Sequence, residues 1–205
     1  MEIQERILLK GDEMFRRYGI RSITMDDIAK NLGVSKKTIY QHFPDKEELV
    51  VEVIRMNIQR HMRHMDSCCG NAAKDAIDEL LQINKQVSIM IQSYNPIMFY
   101  DLQKYHPKAW IAFREFRNHE ILTKIVDNIH RGMSEGLYRK DIDIDIISRM
   151  RLEQVDMSFN YEVFPSNEYR FDKVMIELTE HFLYGLLSMK GYKLISQYKN
   201  IKEEN

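Results

Sequence analysis

The amino-acid sequence predicts an all-α protein in two parts, and three observations carry that prediction. Apolar residues recur at helical spacing along almost the whole chain. Capping and stop residues stand at the ends of those stripes. The last apolar run, Phe182-Leu-Tyr-Gly-Leu-Leu-Ser-Met189, is apolar on nearly every side, as suits a helix that faces its own bundle on one side and a second subunit on the other.

The N-terminal elements follow in order. Ile3, Ile7, Leu8, Gly11, Phe15 and Tyr18 form one stripe, which Gly19 ends. Thr24 and Asp27 have the spacing of a capping box, so a second helix begins after Thr24. Met25, Ile28, Ala29 and Leu32 give it one apolar face, and Gly33 supplies the left-handed residue that closes it. Ser35 caps a third helix, which buries Ile39 and Phe43 and must stop at Pro44. Asp45 and Glu48 make a second capping box, starting a fourth helix at Lys46.

The third helix turns Lys36, Lys37, Tyr40, Gln41 and His42 away from the core. A face of donors, cations and one aromatic suits a DNA major groove and its flanking phosphates. Lys46 sits in a first helical turn, where it opposes the helix macrodipole by roughly 0.3–1 kcal/mol. A phosphate would reverse that cost, and beside Ser35, Thr38 and Tyr40 the phosphate reading is preferred over a merely solvated lysine. The matching residues Thr24, Asp27-Ile28-Ala29, Leu32-Gly33-Val34-Ser35, Thr38-Ile39-Tyr40, His42-Phe43 and Lys46-Glu47-x-Leu49 closely resemble the DNA-binding domain of the TetR family of bacterial transcriptional regulators. The match is dense over about a quarter of the chain, with caps, stops and a further helix in register.

The 205 residues hold 44% apolar side chains, ample for a buried core. Thirty basic residues balance 31 acidic ones, and residues 1–50 balance nine against nine, so net charge gives no hint of nucleic acid. A DNA reading rests on placement instead: Lys36, Lys37 and Lys46 are expected to be opposed only by Asp45. No signal peptide and no apolar run of the roughly 20 residues needed to span a bilayer is visible. The two cysteines, Cys68 and Cys69, are adjacent and form no disulfide framework. A cytoplasmic protein with no membrane partner is expected.

Beyond Lys46 the chain still reads as helix. The fourth helix runs to about Met65 and connects the two domains, residues 1–47 and 48–205. Further helices are expected over Ala72 to Tyr94, Ile97 to Tyr105, and Lys108 through Ile129 to Gly132 or Gly136. Asp141-Ile-Asp-Ile-Asp-Ile146 alternates like a strand, but it has no partner strand, so it is read as a loop with Asp143 or Asp145 capping the next helix. A last helix is expected from Glu168 to about Met189, with one stripe of Val174, Met175, Leu178, Phe182, Leu186 and Met189 and another of Ile176, Leu183 and Leu187.

Catalysis finds no support, since phosphate loops, nucleophile elbows and H-E-x-x-H are absent and the acidic pairs sit in first helical turns. His61, His64 and Cys68 share one helix face, and with Cys69 they offer a metal or thiol sensor. Partly buried residues near a helix end explain them as well, and there is no fourth ligand, so no metal or cofactor is expected. Met90, Tyr94, Met98, Phe99, Trp110, Phe113, Met150, Gln154, Met157 and Tyr161 are candidates to line an effector cavity between bundle helices, with ordinary core as the plainer alternative.

The resemblance implies the rest. A three-helix helix-turn-helix domain would bind a double-stranded, palindromic operator through Thr24, Ser35, Lys36, Lys37, Thr38, Tyr40, Gln41, His42 and Lys46. The C-terminal bundle would bind a small, largely apolar effector and make a homodimer through the two C-terminal helices. Repression relieved by that effector is the default mechanism. An architectural DNA-binding dimer without an effector is the alternative from another class.

Overall fold

The computed structural model describes residues 2–68, 72–92, 94, 95, 97–160, 162–165 and 167–203, without the side chains of 64, 66–68 and 199–203. Among the described residues the chain is helical, with no strand beyond one isolated bridge. Packing divides it into two compact units, Met1–Arg63 with Met90–Phe116, and His64–Ile89 with Arg117–Asn205. Residues 90–116 pack in the same unit as the first three helices and most of the fourth.

In the first unit, α1 (Ile3–Tyr18), α2 (Met25–Leu32) and α3 (Lys36–His42) lie where the stripes and caps put them. Thr24 and Asp27 form the full capping box, and Gly33 closes α2 at φ 68°. Ser35 Oγ accepts from the Thr38 amide at 3.1 Å, and Asp45 accepts from the Glu48 amide at 2.8 Å to start α4 (Lys46–Cys68). Ile7, Phe15, Ile28, Ile39 and Leu49 are completely buried, and each such side chain contributes roughly 1.5–3 kcal/mol through lost apolar surface.

This core extends to α6 (Ile97–Tyr105) and α7 (Pro107–Phe116), from which Met98, Leu102 and Ala109 enter it. Pro107 begins α7 at a position where its missing amide costs nothing. Asp12, wholly buried on α1, takes a hydrogen bond from Asn57 Nδ2 of α4 at 2.8 Å and pairs with Arg16 and Arg60. A buried carboxylate held this way ties α1 to α4.

The second unit is built from α5 (Ala76–Ile91), a π-helical turn (Arg117–Ile121), α8 (Leu122–Ser134), α9 (Ile144–Ser158), α10 (Phe171–Leu186) and α11 (Met189–Glu203). Asp75 caps α5, accepting from the Ile77 and Asp78 amides, so that helix starts four residues later than its stripe suggests. The expected continuous helix through Ile129 is interrupted by the π turn, whose i→i+5 pattern rephases the stripe. Asp143 caps α9 from within the alternating segment, of which 141–143 are loop and 144–146 the first turn of the helix.

The last helix of the sequence reading ends early. Leu187 is extended and bridges to Tyr138, and Ser188 then starts α11, its Oγ accepting from the Gly191 amide at 3.1 Å. The hydroxyl of Ser188 also donates to the Gly136 carbonyl at 2.7 Å. The two expected stripes of α10 change accordingly. Leu183 is as buried as Phe182 and Leu186, whereas Ile176 and Met189 are exposed.

Candidate nucleic-acid interface

Ile39 and Phe43 pin α3 to the core, and their burial decides which side of the helix faces out. Lys36, Lys37, Tyr40 and Gln41 are exposed there, while Thr38 and His42 are half-buried. The hydroxyls of Ser35 and Thr38 lie 2.8 Å apart at the N-terminal end of α3, where free amides and the helix dipole favour a phosphate. Lys37, Tyr40 and Gln41 therefore present donors outward from a rigid base.

Two lysines are not simply free. Lys36 Nζ pairs with Asp26 Oδ1 at 2.7 Å and lies 5.8 Å from the Tyr40 ring centroid. The neighbouring carboxylate raises its pKa. Asp26 thus opposes the patch as well as Asp45, contrary to the sequence-based expectation. Lys46 is half-buried, and its ammonium donates to the Arg21 carbonyl at 3.4 Å. Burial pushes its pKa down, with Asp101 and Asp27 acting against that. A lysine in so dehydrated a setting gains more from a phosphate than a fully hydrated one. Thr24 is committed to its cap: its Oγ1 donates to Asp27 Oδ2 at 2.6 Å, and these bonds lower the Asp27 pKa.

The 90–116 segment buttresses this head in a way the local sequence does not announce. Asp101 Oδ2 accepts from the Arg21 amide at 2.9 Å, and the Arg21 guanidinium lies 4.9 Å from the Tyr105 ring centroid. Glu47 takes His106 Nδ1 at 2.6 Å and the Lys108 amide at 3.0 Å, and Lys108 Nζ reaches Glu48 at 2.8 Å. The loop before α2 and the first turn of α4 are both clamped to α6 and α7. Only long-range partners reveal these positioning residues.

The effector candidates fall into both units. In the first, Tyr94, Phe99, Phe113 and Trp110 form a chain of ring contacts with centroids 5.6–6.3 Å apart, Met98 is buried beside them, and Met90 is half-buried. In the second, Gln154 and Met157 on α9 are half-buried, whereas Met150 faces solvent instead of lining an interior. Tyr161 lies outside the described residues. So do the side chains of His64, Cys68 and Cys69, while His61 is half-buried on α4. An open groove of about 420 Å³ runs beside α11, lined by Leu137, Met189, Lys190, Lys193, Leu194 and Gln197, none of them an expected effector residue.

A capped three-helix head with a donor-rich second helix of its helix-turn-helix defines a DNA-binding module. Residues 7–53 match the bacterial regulatory proteins of the tetR family. The transcriptional repressor KstR2 of Mycolicibacterium smegmatis is 26% identical over 155 residues, covering 71% of this chain and 72% of that protein. An uncharacterised helix-turn-helix regulator of Bacillus subtilis, YvaF, is 21% identical over 90% of this chain and 95% of its own. Among solved structures, a putative transcriptional regulator from Saccharomonospora viridis in complex with choline superposes with a TM-score of 0.76 at 19% identity, covering 90% of this chain and 97% of its own. Residues 7–53 are thus a DNA-binding domain of the tetR type. The protein is a DNA-binding transcriptional regulator, not an enzyme. Among the described residues no helix is long and apolar enough to cross a membrane.

Proposed function

We propose that this regulator is a repressor that binds a palindromic operator as a homodimer and leaves it when a small effector binds. The reading is supported above all by the exposed face of α3, with residues 1–47 as the DNA-reading domain. Lys37, Tyr40 and Gln41 are its base-edge and phosphate donors, Lys36 joins them once Asp26 releases it, and Ser35, Thr38, His42 and Lys46 flank them on the backbone. Thr24 serves as the cap that sets α2. Repression as the default is favoured by the likeness to KstR2, itself a repressor.

Dimerisation is supported by apolar side chains that the single chain leaves in water. Ile146 and Met150 are exposed one turn apart on α9, and Ile176 and Tyr184 are exposed on α10. Helical faces of this kind match a second copy of themselves across a two-fold axis. The pairing helices are then α9 and α10, with α11 following them. Effector binding acts on the head through α4 and the α6–α7 clamp, because Glu47 and Glu48 of α4 are bonded to His106 and Lys108. For release to occur the effector must bind the DNA-incompetent arrangement more tightly.

Two substitutions test the interface, using an operator selected from a random duplex pool. Lys46→Ala is expected to weaken binding to operator and random duplex alike and to lower the salt slope by about one unit, as for one lost phosphate contact. Gln41→Ala is expected to cost about 1–3 kcal/mol of discrimination at one base pair, because an amide reads base edges. Salt-dependent anisotropy titrations separate the two outcomes. Selective loss of operator binding in Lys46→Ala would refute its phosphate role.

A further inference from the structure

The buried face of α9 is unusually polar for the inside of a bundle. Ser148, Arg151 and Ser158 are buried along it, and Arg151 is only 5% exposed. The Arg151 Nη2 donates to Thr179 Oγ1 of α10 at 2.7 Å, and its guanidinium carbon lies 5.1 Å from the Phe182 ring centroid. Among the described residues its Nη1 has no acceptor. One turn on, the buried Oε1 of Gln154 has no donor. On α5, Asn84 Oδ1 and Ser88 Oγ are likewise buried without partners among the described residues.

The contrast with the chain's other buried charges is informative. Asp12 is held by Arg16 and Arg60, and the buried Arg117 by Glu153 and Asp156. Among the described residues Arg151 meets a hydroxyl and a ring, neither of which carries a negative charge. Burial alone pushes its pKa down to about 10, with no carboxylate holding it up. An ordered water would satisfy the Nη1 hydrogen bond but would leave the charge uncompensated. A planar guanidinium with one edge occupied and one free is shaped to receive a carboxylate.

We propose that Arg151 is the head-group receptor of the effector site, and that the effector is an organic carboxylate with an apolar body. The carboxylate takes the free Nη1 and neutralises the guanidinium. Gln154 supports it from the next turn, since its amide can be turned to present the NH₂ group as a second donor. The buried Phe182 ring provides apolar surroundings that strengthen the ion pair. No proton or covalent bond changes hands. This inference rests on the effector-released repressor reading and adds the charge and class of the effector.

The test uses the full chain and two matched series: hexanoate, octanoate and decanoate, and the alcohols of equal chain length. Calorimetry is expected to find at least one carboxylate binding about tenfold or more tightly than its alcohol, the scale of a charge-assisted hydrogen bond. Arg151→Met is expected to erase that preference, weakening carboxylate binding about tenfold or more relative to alcohol binding. Its melting temperature without ligand should match or exceed that of the wild type, because an uncompensated charge has been replaced by an apolar side chain of similar length. Arg151→Lys, which keeps the charge but loses the fork, should retain part of the preference. Carboxylates that bind wild type no better than alcohols overturn the proposal without reference to any variant. So does a preference that survives in a folded Arg151→Met. Titration of the selected operator in the same samples separates the two readings. If the protein binds operator and alcohols release it as well as carboxylates do, the anion inference falls and the effector-released regulator stands.

Discussion

Tyr138→Ala is expected to destabilise the protein by about 3–5 kcal/mol, a large part of the roughly 5–15 kcal/mol that holds a domain folded. The ring is 1% exposed, and the amides of Leu137 and Tyr138 both donate to the Gly132 carbonyl. Its hydroxyl lies 3.1 Å from Asn128 Oδ1 and 3.2 Å from the Ala76 carbonyl, which links α8 to α5, and burial raises its pKa. Truncation leaves both a cavity and a buried amide oxygen without its donor. Tyr138→Phe keeps the packing and should cost only about 0.5–1.5 kcal/mol.

Gly132 gives the sharper version of this test. A Cβ there would stand 2.1 Å from the Tyr138 ring, so Gly132→Ala forces the ring away and should cost about 1–3 kcal/mol. In a Tyr138→Ala background the space is free, and alanine should instead stabilise α8 by up to about 1 kcal/mol through its better helix propensity. Urea midpoints of the four proteins complete the cycle. Equal effects of Gly132→Ala in both backgrounds would mean that the ring does not rest on this glycine.

Ile146→Glu combined with Ile176→Glu is expected to yield folded monomers whose operator affinity is lower by about 10²–10⁴-fold, since each half-site is then bound without the other. Both side chains are exposed, at 62% and 46%, so the single chain loses little packing. In an isologous interface both copies bring their introduced carboxylates into the apolar contact, where unpaired charge is costly. Leu186→Glu behaves differently. Leu186 is 1% exposed inside its own unit, so a charge there unfolds the protein before it can reveal anything about assembly. Sedimentation, read beside the thermal melt and the operator titration, distinguishes the cases. A folded double variant that still sediments as a dimer would remove α9 and α10 as the interface.

The parts that were legible in the sequence are those whose physics is local. Thr24, Gly33, Ser35 and Pro44 act within a turn of themselves, so the boundaries of α1 to α3 and the outward side of α3 can be read from a few neighbours. Asp143 capped α9 for the same reason, against the strand-like alternation around it. Other features depended on partners far along the chain. Asp12 looks like an ordinary surface residue of an amphipathic helix until Asn57 and Arg60 close over it. Asp101 and His106 show their importance only through Arg21 and Glu47. A stripe of apolar residues in α10 identified a buried helix but not which side turned inward, and Leu183 and Ile176 were paired wrongly as a result. Arg151 is the clearest case. At helical spacing from Ile147 it reads as one more polar residue on an amphipathic helix, and only Thr179 and Phe182 of α10 reveal that, among the described residues, its charge is buried without a counter-ion. Short-range hydrogen bonds and turn geometry are written into adjacent residues, whereas burial and charge compensation belong to whichever helices the folded chain brings alongside.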